Sequence, residues 1–266
     1  MTAKMLGWRM ICKWEGMMRR MILPLLMMTA APAAYAAPAD LGTAVAAKAR
    51  PADAVKLDAS RKPEAVLKFL GLEKGDRALD LFTGGGYYAE IMGRAVGPEG
   101  AVVAWEPANF YNDETKKGWS ELGARVPNAR LLVSPATSIE LAPDSFDFVL
   151  MHMIYHDLYW ESEQYKFPRL DPAAVLKKVH AATKPGGIVG VVDHVAAAGG
   201  DTRQVVDKLH RIDPAVIRAD FERAGFVFDG ESDLLRNAGD DHGKLVFDPS
   251  VRGKTDRVVY RFRKPG

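Results

Sequence analysis

A single cysteine, Cys12, is all the thiol chemistry in this 266-residue sequence. One thiol cannot close an internal disulfide, nor can it build a metal cluster of several thiolates. Charge of one sign is lacking as well: 36 lysines and arginines face 34 aspartates and glutamates. Nothing global favours nucleic acid, and no such partner is expected. Beyond the first 36 residues no apolar run reaches the roughly 20 residues that cross a bilayer. Internal repeats are absent, and the one low-complexity stretch is the alanine-rich segment from Ala30 to Ala47. What remains is a chain long enough for one α/β domain with a large core.

The first 36 residues differ from the rest. Arg19 and Arg20 precede a short apolar stretch, Met21 to Met28, and then Ala34-Tyr35-Ala36. A basic start, an apolar middle and an Ala-x-Ala end is the layout of a secretory signal peptide. Residues 1–36 are therefore read as a signal peptide cleaved after Ala36, and the protein as exported to the periplasm. A membrane anchor is the alternative, but the apolar stretch is short and small residues follow it promptly. After cleavage no stable membrane insertion is expected. The leader carries five basic side chains and one acidic, which leaves 31 basic and 33 acidic in the remainder. The slight basicity of the whole chain belongs to the leader, and Cys12 would leave with it.

Residues 37–62 read as a polar, alanine-rich N-terminal arm, and 63–266 as a single domain. Pro63 to Leu70 is a short helix that Gly71 ends. Strand and helix patterns then alternate. Strands are expected at Arg77–Phe82, Ala101–Glu106, Arg130–Val133, Phe146–Met151 and Ile188–Val192, with helices at Tyr87–Val96, Glu114–Ala124 and from Pro172 to about Thr183. Asp171 caps the last of these, and Lys184-Pro185-Gly186-Gly187 stops it. Strands alternating with helices imply βαβ units and a parallel sheet, and continuously apolar strands imply cover on both faces. Beyond Ala196, Gly199-Gly200 makes a loop and Asp213-Pro214 opens a helix ending at Ala224-Gly225. Phe226–Phe228 and Arg257–Phe262 close the chain as strands, and the polar stretch Asn237 to Thr255 between them reads as a surface excursion or lid.

The glycine-rich turn Asp80-Leu81-Phe82-Thr83-Gly84-Gly85-Gly86 joins the first strand to a helix. Glycine lets backbone approach a ligand there, and the helix points free N–H groups into the turn. Glu106 lies 20 residues after Gly86, at the end of the second strand, where a carboxylate can hold ribose hydroxyls.

In these residues the sequence resembles class I S-adenosylmethionine (SAM) dependent methyltransferases, whose first motif is an acidic residue followed by Gly-x-Gly-x-Gly. Asp80, Gly84 and Gly86 match, while Phe82 replaces the first glycine. Ala136 and Thr137 fall where the family meets the adenine, without its usual acidic residue. Ser145 to Leu150 fits the family's fourth strand, and the Lys-Pro-Gly-Gly turn precedes its fifth. The chain is also similar to a group of bacterial methyltransferases with export signals, through its Tyr-His-Asp, Asp-His and His-Arg-Ile-Asp stretches. The resemblance implies a Rossmann-like fold, with a mostly parallel seven-stranded sheet and helices on both faces. It implies SAM as cofactor. Asp80 would lie near the cofactor amino group, Thr83, Gly84 and Gly86 along it, and Glu106 on its ribose hydroxyls.

Five of the six histidines fall between 152 and 210. Open parallel sheets bind ligands beyond the carboxyl ends of their strands. His152, Tyr155, His156 and Asp157 follow the fourth strand there, and Asp193 and His194 follow the fifth. Methyl transfer needs an aligned nucleophile and sometimes a base for its proton. His156 or His194 is the expected base, with Tyr155 or Asp157 assisting. Asp157, Asp193 and His194 can also ligate a metal, but no local ligand spacing supports that, and no metal is assigned. The expected activity is methyl transfer to a small molecule. The alternative is a ligand-binding protein on a methyltransferase scaffold, since fold alone does not confer activity.

Overall fold

The computed structural model describes residues 37–266; the leader and its cleavage position lie outside the described residues. Seven strands form one sheet in the order β3-β2-β1-β4-β5-β7-β6. They are β1 (Arg77–Leu81), β2 (Ala101–Pro107), β3 (Ala129–Ser134), β4 (Phe146–His152), β5 (Thr183–His194), β6 (Val227–Ser232) and β7 (Arg257–Arg263). The pairs from β3 through β5 are parallel, and β7 runs antiparallel to both β5 and β6. The fold is the Rossmann-like one of class I methyltransferases.

Alternate side chains of each central strand feed two cores, as the period of two requires. Val149 and Met151 of β4 join one cluster, while Phe148 and Leu150 join the other. Helices α1 (Leu41–Val45), α4 (Pro63–Leu70), α5 (Tyr87–Val96) and α6 (Asp113–Arg125) close the second cluster. Helices α7 (Pro172–Ala182), α8 (Thr202–Leu209) and α9 (Pro214–Arg223) close the first. At Gly190 of β5 a Cβ would lie 2.5 Å from Leu70 Cδ1, so glycine there lets α4 sit close on the sheet. Among the described residues no helix is long and apolar enough to cross a membrane.

Three differences from the sequence reading have local causes. Residues 37–62 fold into α1, α2 (Ala52–Lys56) and α3 (Asp58–Arg61) rather than trailing as an arm. The buried Arg50 ties them together, donating to Val45 O and to both carboxylate oxygens of Asp58. Strand β5 begins at Thr183, ahead of the expected Ile188. Its register with β4 jumps from Phe146 opposite Thr183 to Phe148 opposite Ile188, and the Lys-Pro-Gly-Gly segment bulges between. Helix α8 follows the expected Gly199-Gly200 loop, where no helix was expected, with Asp201 accepting from Gln204 N at its start. Asn237 to Thr255, read as a surface excursion, holds neither helix nor strand and is fastened at its base. Arg211, wholly buried, pairs with Asp240 at 2.6 Å and donates to the carbonyls of Val195 and Lys244.

Candidate active site

The turn after β1 reverses tightly, with Phe82, Gly84 and Gly86 all at positive φ. Gly86 can take no side chain, since a Cβ would meet Leu122 Cδ1 at 2.5 Å and Trp119 Cζ2 at 2.9 Å. Trp119 Nε1 donates to Gly84 O and pins the turn from α6. Thr83 Oγ1 donates to Asp80 Oδ2 at 2.6 Å, and Gly84 N–H donates to Glu106 Oε2 at 2.7 Å. Burial pushes the Asp80 carboxyl up to about 6, although the Thr83 hydrogen bond works against it. Burial likewise pushes Glu106 up to about 7, with the neighbouring Asp80 charge adding to the rise. Neither carboxylate forms an ion pair among the described residues, and both are well placed to gain from a ligand that brings hydroxyls or an ammonium.

A cavity of about 490 Å³ opens in front of this turn. Asp80, Thr83 and Gly84 to Gly86 line it, together with Leu57 and Arg61 from the N-terminal segment. Arg61 lies 4.4 Å over the Tyr87 ring. His152 also lines the cavity, and its buried Nε2 has no hydrogen-bond partner among the described residues. Burial holds His152 well below the ordinary imidazole range, so it is neutral. An orphaned ring nitrogen, a cation and two carboxylates around one glycine turn fit a zwitterionic nucleoside ligand.

A second cavity, of about 610 Å³, lies beyond the ends of β4 and β5. Its walls include Phe110, Trp160, Tyr165 and Phe247, and its polar end holds His156, Asp157, His194 and His210. Met153, held at φ 56°, lines both cavities, so the two are neighbours. Asp193, fully buried, organises the polar end. It accepts from His156 N at 2.8 Å, from His194 N at 2.7 Å, and meets His156 Nδ1 at 2.7 Å. Burial alone would lower His156, but the Asp193 and Asp157 carboxylates outweigh it and raise the ring to about 9. His194 goes the other way: burial dominates and lowers it to about 3. Its Nδ1 meets Thr255 Oγ1 at 2.7 Å, which leaves Nε2 for a ligand. The two rings, 5.9 Å apart, thus divide their roles: a cationic donor and a neutral acceptor.

The site residues expected from sequence are not all brought together. Asp80, Thr83, Gly84 and Gly86 line the first cavity, and Glu106 sits directly behind it on Gly84. Ala136 is buried in a short turn after β3 and Thr137 is exposed; neither lines the cavity. Phe82 packs edge-on against Trp105 at 4.8 Å and leans on Phe167. His156, Asp157 and His194 meet in the second cavity. Tyr155 does not. It is fully buried and donates to Asp220 Oδ2 at 2.7 Å, as part of the packing between sheet and α9. Arg61, Met153 and Phe247 went unnoticed in the sequence. No motif flags them, and only the chain path carries them to the cavity walls.

Residues 79–191 match the family model described as a methyltransferase domain. A demethylmenaquinone methyltransferase of Geobacillus kaustophilus is 31% identical over 126 residues, which is 47% of this chain and 48% of that protein. The chain spans about half the length of the curated relatives it matches. A SAM-dependent methyltransferase from Aquifex aeolicus superposes with a TM-score of 0.55 at 22% identity, covering 80% of this chain and 98% of that one. The 4+2 cyclase SpnF gives the same TM-score of 0.55 at 18% identity, covering 78% and 81%. At such identities the structures establish the fold. The family model and the curated relatives matched are those of methyltransferases.

Proposed function

We propose that this chain is an exported SAM-dependent methyltransferase whose acceptor is a planar, largely apolar small molecule carrying a hydroxyl. The observation that carries this reading is the pair of cavities meeting at Met153. One has the carboxylates and glycine turn of a nucleoside site, and the other has aromatic walls and a histidine end. SAM supplies an electrophilic methyl group on a sulfonium. Asp80, Glu106 and the turn amides would hold it, with Arg61 available for its carboxylate. In the neighbouring cavity Trp160 and Phe247 would flank a ring, and the neutral His194 would accept a hydrogen bond from its hydroxyl. The curated relatives carry demethylmenaquinone in their names, and a quinol ring suits these walls. Export rests on the leader alone, and N-terminal sequencing of the secreted protein tests it through a start at Ala37.

Calorimetry with SAM and S-adenosylhomocysteine tests the cofactor half, and transfer of labelled methyl from SAM to a demethylated quinol analogue tests the acceptor half. Saturable SAM binding that weakens at least about tenfold in Glu106→Ala is expected, since a buried hydrogen-bonding carboxylate is lost. Silence toward both ligands at millimolar concentration overturns the reading. Phe82 beside Trp105, and Ala136 and Thr137 away from the cavity, favour a second reading in which the scaffold binds another ligand and transfers no methyl group. Absence of SAM binding together with binding in the aromatic cavity selects it.

A further inference from the structure

Three groups converge at the polar end of the aromatic cavity. They are His156 Nε2, a carboxylate oxygen of Asp157 and His210 Nδ1. His156 Nε2 lies 3.4 Å from Asp157 Oδ1, and His210 Nδ1 lies 3.7 Å from the same oxygen. All three side chains offer a ligand atom within 4.8 Å of the others. Among the described residues, none of these three atoms makes a hydrogen bond.

The chemistry of the set is that of a metal site, and its spacing agrees. Two imidazoles and one carboxylate form a common three-ligand set for zinc-like divalent cations. With metal–ligand bonds of about 2.0 to 2.1 Å, neighbouring ligand atoms of a tetrahedron stand roughly 3.4 Å apart. The observed 3.4 Å and 3.7 Å lie at or just beyond that edge and the third pair lies within 4.8 Å, so an inward shift of His210 is what the site requires. The surroundings are also those of a metal site. Asp193 takes the other nitrogen of His156, Nδ1, at 2.7 Å, and so fixes the ring with Nε2 toward Asp157. A carboxylate behind a ligating histidine is the usual orienting partner. His210 ends α8 in the left-handed region at φ 48°, a place that glycine ordinarily takes. Its ring is clamped between Trp160 and Phe247, each 5.2 Å away.

We infer that His156, Asp157 and His210 bind one divalent first-row transition cation of the zinc or cobalt kind, which displaces the Nε2 proton of His156 to solvent, with Asp193 orienting His156 from behind. The fourth position opens on the aromatic cavity, where a hydroxyl oxygen of a planar ligand would complete the coordination. Bound there, a hydroxyl loses its proton more readily, which makes its oxygen the better nucleophile. The site does not depend on SAM, and it stands or falls separately from the methyltransferase reading.

The test uses untagged protein stripped with chelator, dialysed, and titrated with cobalt(II) while visible absorption is followed. One equivalent should give the intense d–d bands of a low-symmetry site, and zinc should displace it. His210→Ala and Asp157→Asn, on different segments, should each lose the band and weaken binding at least about a hundredfold, since each removes a ligand. Asp193→Asn should weaken binding about tenfold to a hundredfold while keeping the band. His242→Ala, at a half-exposed histidine outside the cluster, should change nothing. Circular dichroism confirms that each variant is folded. No saturable cobalt binding, or an unchanged band in both folded ligand variants, overturns the inference.

Discussion

The two cavities at the carboxyl end of the sheet are built by opposite means. The first is built around backbone: one continuous turn after β1, with Glu106 reached across a single strand pairing and Leu57, Arg61, His152 and Met153 added at its edges. The second is made of side chains from five separate places, namely the segments after β2, β4, β5 and α8 and the excursion at Leu245 to Phe247. Their electrostatics differ in the same way. Asp80 and Glu106 are buried without an ion pair among the described residues and are pushed upward toward neutrality. Asp193 in the second cavity already holds His156 and His194 through three contacts. A turn can carry its chemistry alone, whereas a convergent pocket must be held by devices outside it.

The sharpest way to break this contrast is Arg211→Met. It leaves Asp240 buried without its partner and should cost about 4 kcal/mol of unfolding free energy, read by denaturant titration. The wall at Leu245 to Phe247 should loosen, while SAM affinity of the folded fraction stays within twofold. Loss of SAM binding in step with stability would show that the cavities are not independent.

Glu106→Gln tests the other side. A carboxyl at about 7 in the folded chain and near 4.5 when unfolded keeps its proton longer when folded. Its contribution is fully present below about pH 4.5 and is lost as pH rises through about 7. The wild type should therefore lose stability across that window. The glutamine variant should be flatter and, above pH 7, more stable by up to roughly 3 kcal/mol, a bound that follows because each tenfold change in proton affinity is worth about 1.4 kcal/mol. Thermal melts across pH 4 to 9 decide it, and parallel slopes in both proteins would refute the burial account. SAM affinity of the wild type should rise over the same window, as the acceptors ionise.

His194→Gln separates binding from turnover. A drop of about a hundredfold in kcat with an unchanged SAM dissociation constant is expected if the imidazole serves the acceptor alone. Equal losses in both would join His194 to the first cavity. The smallest effect is expected from Phe82→Gly. Relief of a left-handed residue and loss of an aromatic contact, each about 1 kcal/mol, should nearly cancel in stability. SAM affinity should rise a few-fold if the ring narrows the pocket, and stay level if it does not.

Much of the sheet was legible because parallel strands buried on both faces read as apolar runs, and because Asp171 and Asp213 mark helix starts that the structure keeps. Helix α8 was missed although Asp201 and the Val205, Val206, Leu209 spacing announce it, since the preceding glycine pair suggested only a loop. Tyr155 read as a site residue because it adjoins His156 in sequence. In the folded chain consecutive residues of that segment point apart, one to Asp220 and the other to Asp193.

By itself the sequence determined the alternation of strands and helices, the glycine turn and the acidic residue one strand away. These rest on local periodicity and backbone conformation, which a chain carries wherever it goes. The tertiary structure decided which histidines meet, which is charged and which is neutral, and that Arg211 fastens the far wall. Burial and the approach of a carboxylate set those properties, and neither exists until distant segments pack together.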